Sequence, residues 1–218
     1  MGAKRIGMAI HGGAGTIDRA KMTPQIEEDL RAGLHRALTA GHEILKDGGT
    51  SLDAVVASVR ALEDNPLFNA GKGAVFTSGG GHEMDAAIMD GKTLKAGAVG
   101  GLEHVKNPIS LARAVMEHSR HVMLVGEGAE LFAQQMGLEL VEQEYFYTEE
   151  RWHALQRVQK AEADALASGK EVVISDQDRH GTVGAVALDA LNRPIACEIV
   201  GESTLDRDVS VKRTASRS

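Results

Sequence analysis

The sequence is short of the features that mark several classes of protein. Its single cysteine, Cys197, excludes an intrachain disulfide framework and indicates a reducing compartment. The apolar stretch at residues 5–10 is broken by glycine and is too short for a signal sequence or a membrane span. An excess of positive charge is missing: 31 acidic residues against 24 basic ones give a net charge of −7, whereas nucleic-acid-binding proteins usually carry basic surfaces. We therefore expect a cytoplasmic protein that binds neither membranes nor nucleic acid.

Common metal and nucleotide motifs are missing as well. The histidines are scattered, without a His-Glu-x-x-His pattern or pairing with cysteine, so the sequence does not indicate a zinc site. The glycine-rich segment at residues 11–15 lacks the spacing of a dinucleotide-binding loop and the Lys-Ser/Thr pair of a P-loop. A phosphate-binding role for this segment is therefore disfavoured.

Glycine and apolar residues are present in a clear order. The 25 glycines cluster in short runs, which is typical of tight turns around a site. Thr23 and Thr50 each stand where a helix N-cap is expected, and residues 66–104 alternate short apolar runs with glycine pairs. A strong strand pattern begins at Thr182. Helices followed by a strand-rich segment predict a single domain of the α+β class.

The pair Gly181-Thr182 carries the sharpest chemical signal. A lone threonine at the start of a strand is most often a structural residue, because β-branched side chains suit strands. A threonine at a chain N-terminus can instead act as a nucleophile, since its own α-amine, with a pKa of about 7.7–8.0, serves as the base. That role requires cleavage after Gly181, and the polar segment 168–181 reads as a flexible linker that would uncover the amine. We therefore predict Thr182 as nucleophile and Gly181 as the cleavage site.

Six segments in a fixed order point to a family. They are HGGAGTI (11–17), NPLFNAGKGAVF (65–76), MDAAIMDG (84–91), LKAGAVGGLEHVKNPI (94–109), HVMLVGEGAELFA (121–133) and GTVGAVALD (181–189). Together they resemble the signatures of plant-type (type III) L-asparaginases, which are also called isoaspartyl peptidases and are N-terminal-nucleophile hydrolases. The resemblance runs from residue 5 to about residue 196.

The resemblance implies a fold and a division of the chain. Members are four-layer αββα sandwiches of the N-terminal-nucleophile type, made as precursors that cleave themselves. Residues 1–218 would form one such domain, incomplete at its C-terminal end, with an α-subunit region at 1–181 and a truncated β-subunit region at 182–218. The implied substrates are L-asparagine and isoaspartyl dipeptides. No organic cofactor is implied, and the implied assembly is a homodimer of αβ units.

The resemblance also implies roles for individual residues. Asn69 would help to position the active site, although an asparagine before Ala-Gly is often only a turn residue. Gly12 and Gly13 would form a support loop beside the nucleophile. Backbone carbonyls would wrap a structural sodium ion, for which side-chain identity is a poor guide. The matching positions are Leu62, Glu63, Asn65, Phe68, Ala70 and Lys72.

The C-terminal part departs from the resembled pattern. About eighteen residues after the nucleophile the family carries Thr-Ser-Thr-Gly-Gly, whereas this chain has residues 198–202, with Val200 in place of the second threonine. The arginine and aspartate that grip the substrate do not recur in the family spacing, so the substrate-binding residues are unknown. A second hypothesis is therefore a truncated or frame-shifted, catalytically defective member. It predicts a frayed tail after Ala196 and exposure of Val183 and Ala185 along an unpaired strand edge.

Overall fold

The fold is that of a computed structural model, which describes residues 5–13, 22–168 and 182–191 and the backbone of 194–201. The strands are β1 (Gly7–His11), β2 (Met84–Asp90), β3 (Ala96–Leu102), β4 (Met123–Val125), β5 (Thr182–Leu188) and β6 (Pro194–Gly201). The helices are α1 (Pro24–Lys46), α2 (Ser51–Glu63), α3 (Pro108–His118), α4 (Gly126–Gln135) and α5 (Glu149–Ser168). Single 3₁₀ turns lie at Gly71–Gly73 and Gln143–Tyr145.

The first two helices begin where the sequence predicts. Thr23 accepts a hydrogen bond on its side chain from the backbone N–H of Ile26, at 3.2 Å, and Pro24 occupies the first helical position. Thr50 accepts from the backbone N–H of Asp53 at 3.0 Å, and its hydroxyl donates to Oδ2 of Asp53 at 2.7 Å. Both predicted N-caps are confirmed, and they fix where the two helices enter the fold.

The strands form one six-stranded sheet in the order β1-β5-β6-β2-β3-β4 within the described residues. All neighbours are antiparallel except β3 and β4, which are parallel and are connected through α3. Mixed helices and a mainly antiparallel sheet confirm the α+β class. Among the described residues, no helix combines the length and apolar character that a membrane span needs.

The two faces of this sheet differ. On the covered face, α2 packs against β5 and α3 packs against β2 and β3, so that Val183, Ile88 and Val99 are almost wholly buried. The other face, called the open face here, carries exposed apolar side chains from successive strands. They are Ala9, Ala87, Met89, Met123 and Val186.

Two expectations about the C-terminal part are wrong. The strand β5 is not an unpaired edge, because β1 and β6 flank it, and Val183 and Ala185 are only 0% and 3% exposed. The predicted fraying also does not begin at Ala196, because β6 continues to Gly201 between β5 and β2, while the rest of the tail lies outside the described residues. Neighbours on both sides satisfy the backbone of β6, and this outweighs the polar composition of the segment.

The predicted linker begins one residue too early. Ser168 is the last residue of α5, and its hydroxyl donates to the carbonyl oxygen of Asp164 at 2.8 Å. The rest of the linker, residues 169–181, lies outside the described residues. Its predicted flexibility therefore stays a prediction.

Candidate active site

Thr182 stands at the first position of β5 and is half-buried. Side chains alternate along a strand, so Thr182 shares the open face with Val186 while Val183 points into the core. Gly181, the predicted cleavage position, lies outside the described residues. The predicted nucleophile is therefore on the face of the sheet that no described helix covers.

The Gly12–Gly13 pair lies beside Thr182. His11 at the end of β1 is in register with Gly184 of β5, which brings the residues after β1 to the start of β5. A Cβ atom placed on Gly13 would lie 3.7 Å from the backbone oxygen of Thr182. The placement next to the predicted nucleophile agrees with the support role that the resemblance implies.

Phe68 connects a second loop to this pair. Its ring is 2% exposed, and a Cβ atom on Gly12 would lie 2.7 Å from Phe68 Cε1 and 2.8 Å from Leu34 Cδ2. A side chain at position 12 would displace Phe68 or Leu34, so glycine allows the close packing of these elements. Residues 63–73, called the 63–73 loop here, are thereby packed against the support loop.

Asn69 lies inside the 63–73 loop and is 3% exposed. Its Oδ1 accepts a hydrogen bond from the backbone N–H of Val75 at 2.9 Å, so one function of the side chain is to hold the exit of the loop. Its proposed contribution to the active site is not tested by this contact and stays a prediction.

Glu63 anchors the beginning of the same loop. Its side chain is fully buried, and Oε1 accepts from the backbone N–H of Ile109, in the first turn of α3, at 2.9 Å. Burial raises the pKa of Glu63 to about 8, against the opposing effect of the Ile109 N–H and the Asn107 side chain. The Oε2 atom has no hydrogen-bond partner among the described residues. A carboxyl group in this setting is protonated at neutral pH.

The carbonyl groups of the 63–73 loop converge on glycines. Gly71 has a φ of +51°, and a Cβ atom there would collide with the carbonyl oxygen of Glu63. A Cβ atom on Gly73 would collide with the carbonyl oxygen of Phe68 and lie 2.5 Å from that of Pro66. The loop therefore brings backbone oxygens together around positions that have no side chain.

Several of the carbonyl oxygens predicted to bind sodium already accept a hydrogen bond, which occupies one of the two lone pairs on each oxygen. The carbonyls of Leu62, Asn65, Phe68 and Ala70 each accept a backbone hydrogen bond, from Asn65, Phe68, Ala70 and Gly73 respectively. Lys72 places its ammonium group 5.5 Å from the centre of the Tyr145 ring, so its side chain points to an aromatic partner. Within the part of the chain that the structure describes, no group of three or more His, Cys, Asp or Glu side chains suits a metal ion. Oxygen ligands from the backbone alone suit a weakly charged, hard cation.

One buried acidic residue was not predicted from the sequence. Asp189 follows β5 directly and is 1% exposed. Its Oδ2 accepts from the backbone N–H and the hydroxyl of Ser51, at 3.2 and 3.3 Å, and its Oδ1 accepts from the backbone N–H of Leu191 at 2.9 Å. The only sequence signal for Asp189 is its place as an acidic residue at the end of an apolar strand. That signal does not predict its contact with Ser51, which lies 138 residues away in the sequence.

Val200 lies directly across from Thr182. The two residues are in register between β6 and β5, and Val200 is also in register with Asp85 of β2. The position that the resemblance assigns to a second threonine is thus adjacent in the sheet to the predicted nucleophile. A valine there contributes no hydroxyl.

Comparison with known proteins shows the family of the chain. The sequence profile described as "Asparaginase" matches residues 4–199. The chain belongs to the asparaginase family. It is 49% identical to "Isoaspartyl peptidase" of Escherichia coli over 84% of this chain and 56% of that protein. It is 48% identical to "Plant-type L-asparaginase" of Thermococcus kodakarensis over 83% of this chain and 58% of that protein. This asparaginase-family chain therefore matches less than two thirds of the length of each of these two relatives.

Proposed function

We propose that Thr182 is the nucleophile of an amidohydrolase that matures by cleaving its own chain between Gly181 and Thr182. The observation that carries this proposal is the meeting of the Gly12–Gly13 pair with the start of β5, in a chain that belongs to the asparaginase family. Thr182 is half-buried at the first position of β5, whereas the neighbouring Val183 is fully buried.

Maturation is an acyl shift followed by hydrolysis. The hydroxyl oxygen of Thr182 attacks the carbonyl carbon of Gly181, the C–N bond breaks, and an ester joins the two residues. Water then hydrolyses the ester, which leaves a carboxylate on Gly181 and a free α-amine on Thr182. The amine has a pKa of about 7.7–8.0 when unperturbed, so it can accept a proton near neutral pH.

Turnover uses the same hydroxyl on an external amide. Thr182 Oγ attacks the side-chain carbonyl carbon of L-asparagine, or the β-linked peptide carbonyl of an isoaspartyl dipeptide, while the α-amine takes the hydroxyl proton. Ammonia, or the amine of the second amino acid, leaves with a proton, and a β-aspartyl ester remains on Thr182. Water hydrolyses this ester and releases aspartate. Asn69 belongs to this proposal as a positioning residue, and the chemistry uses no organic cofactor.

The 63–73 loop is the candidate site for a structural sodium ion. The supporting observation is the close approach of backbone carbonyls to glycines in this loop, that of Glu63 to Gly71 and those of Pro66 and Phe68 to Gly73. The proposed ligands are the backbone carbonyls of Leu62, Glu63, Asn65, Phe68, Ala70 and Lys72. A bound ion would stiffen this loop and, through Phe68, the support loop at Gly12.

The open face supports a larger architecture. A second sheet packed on Ala9, Ala87, Met89 and Val186 would bury exposed apolar surface and complete a four-layer αββα sandwich. Cleavage would divide the chain into an α subunit of residues 1–181 and a β subunit that begins at Thr182. A homodimer of such αβ units in the cytoplasm is the corresponding assembly.

Intact mass spectrometry of the purified protein tests the proposal. We expect two fragments that separate between Gly181 and Thr182, and a single uncleaved mass for Thr182→Ala. Thr39→Ala is the matched control, because Thr39 is exposed on α1 and its hydroxyl forms a hydrogen bond with the surface residue His35, at 3.1 Å. Cleavage at the same bond in Thr182→Ala, or no cleavage in the parent chain, would overturn the proposed maturation.

A further inference from the structure

The contacts of Asp189 connect the end of the nucleophile strand to a helix. Its carboxylate is buried and accepts from the backbone N–H and the hydroxyl of Ser51, the first residue of α2. The remaining oxygen accepts from Leu191, which fixes the turn that leaves β5. Charge-assisted hydrogen bonds at a helix N-terminus are stronger than neutral ones, so this is a firm connection between β5 and α2.

The other end of α2 leads back to the active site. The helix ends at Glu63, where the 63–73 loop begins, and Phe68 of that loop packs against Gly12. The neighbouring Gly13 lies beside the backbone oxygen of Thr182. The described contacts therefore form a closed path from Thr182 along β5 to Asp189, through α2, and back to Thr182 through Phe68 and the glycine pair.

We propose that Asp189 is a positioning residue for Thr182. By fixing β5 to the start of α2, Asp189 fixes the position of Thr182 relative to the Gly12–Gly13 pair. The proposal rests on the function proposed for Thr182. The continuous strand β5 joins the Asp189 end to Thr182, so a displacement at that end along α2 is passed along the strand toward Thr182. A displacement of about 1 Å at a reacting group can slow a reaction by roughly a hundredfold.

The contact of Asp189 with Ser51 adds to a helix end that Thr50 already caps. The helix has its own N-cap, because Thr50 and Asp53 bond each other reciprocally, and Asp53 also pairs with Arg113 at 2.8 Å. Two acidic residues thus serve the same helix end, and of these two Asp189 is the one on the nucleophile strand. Asp53→Asn is therefore a matched control that weakens the same helix terminus without releasing β5.

The decisive experiment compares self-cleavage in Asp189→Ala, Asp189→Asn and Asp53→Asn, at a temperature where circular dichroism shows each protein fully folded. We expect Asp189→Ala to slow cleavage at least about tenfold, given the steep dependence on geometry. Asp189→Asn keeps one carbonyl acceptor for Ser51, so it should recover part of this loss. Asp53→Asn should cleave within about twofold of the parent rate, because its contacts do not reach β5.

The methyl signal of isotopically labelled Thr182, compared between proteins in the same cleavage state, gives a readout that is separate from the rate of cleavage. It should shift in Asp189→Ala and stay unchanged in Asp53→Asn, even when the two variants lose equal stability. An unchanged signal and a parental cleavage rate in folded Asp189→Ala would overturn the positioning role, as would equal slowing by Asp53→Asn. If Asp189→Ala does not fold, the same two readouts on Asp189→Asn decide. If the parent chain does not cleave, the function proposed for Thr182 fails while the methyl signal still decides the role of Asp189.

Discussion

Alternate residues of β5 differ in their surroundings, because their side chains point to opposite faces of the sheet. Val183 and Ala185 on the covered face are buried against helices, whereas Thr182 and Val186 on the open face are half-buried and 49% exposed. Because side chains alternate, a register shift of one residue would exchange the two sets. One set of side chains therefore holds the fold, and the proposed nucleophile belongs to the other.

The largest expected effect is the loss of stability caused by a charged residue on the covered face. Val183→Asp would place an unpaired carboxylate in a fully buried site, which we expect to cost more than about 3 kcal/mol of unfolding free energy. Val186→Asp on the open face should cost about 1 kcal/mol or less, mainly through lost strand propensity. Urea denaturation of the 218-residue chain measures both. Equal costs would mean that a further layer already covers the open face.

The second prediction concerns the chemistry on the open face. Val200 lies across from Thr182 and lacks a hydroxyl, and loss of one hydrogen-bond donor at a reaction centre costs about a hundred- to a thousandfold in rate. We expect release of ammonia from L-asparagine below about 1 s⁻¹, the lower end of ordinary enzyme turnover. Val200→Thr should raise the rate, and glutamine should be a poorer substrate than asparagine. Ordinary turnover by the parent chain, or a preference for glutamine, would contradict this prediction.

The sequence could predict the helices and the strand at Thr182, because caps and periodicity are local signals. Thr50 with Asp53 is the clearest case, since both partners lie within one turn. The continuation of β6 beyond Ala196 could not be predicted in this way, since partners from distant β2 and β5 determine it.

The candidate site shows the same division between local and distant signals. The location of Thr182 at the start of a strand could be predicted from the residues that follow it in the sequence. The packing of Phe68 on Gly12 and the bonding of Asp189 to Ser51 join residues far apart in sequence. No local pattern specifies which distant residue completes such a contact.

The third prediction tests the buried carboxyl on the covered side of the molecule. Burial raises the folded-state pKa of Glu63 from 4.5 to about 8. Of its charged neighbours, Asp64 also raises this pKa and Arg60 lowers it. Between these two pH values the folded state holds a proton that the unfolded state has lost. Stability should therefore fall as pH rises through this window, by up to about 1.4 kcal/mol per pH unit, and level off above it.

Glu63→Gln removes this titration while keeping an oxygen that can accept from Ile109. Its stability relative to the parent chain should rise from pH 5 to pH 8, as measured by urea denaturation at each pH. Glu28→Gln, on the exposed surface of α1, is the control and should show no such trend. A difference that does not change with pH would mean that Glu63 is ionised in the folded protein.

The smallest expected effect is a refinement on the open face itself. Thr182→Ser keeps the hydroxyl but loses the γ-methyl group that restricts rotation about the Cα–Cβ bond. The hydroxyl should then spend less time in the orientation for attack on the Gly181 carbonyl, and self-cleavage should slow about tenfold, or roughly 1.4 kcal/mol of activation free energy. A time course of intact masses measures the rate, with Thr182→Ala as the zero reference. Parental speed in the serine variant would show that the fold alone orients the hydroxyl. Complete loss would show that the methyl group is needed to hold the start of β5 in place.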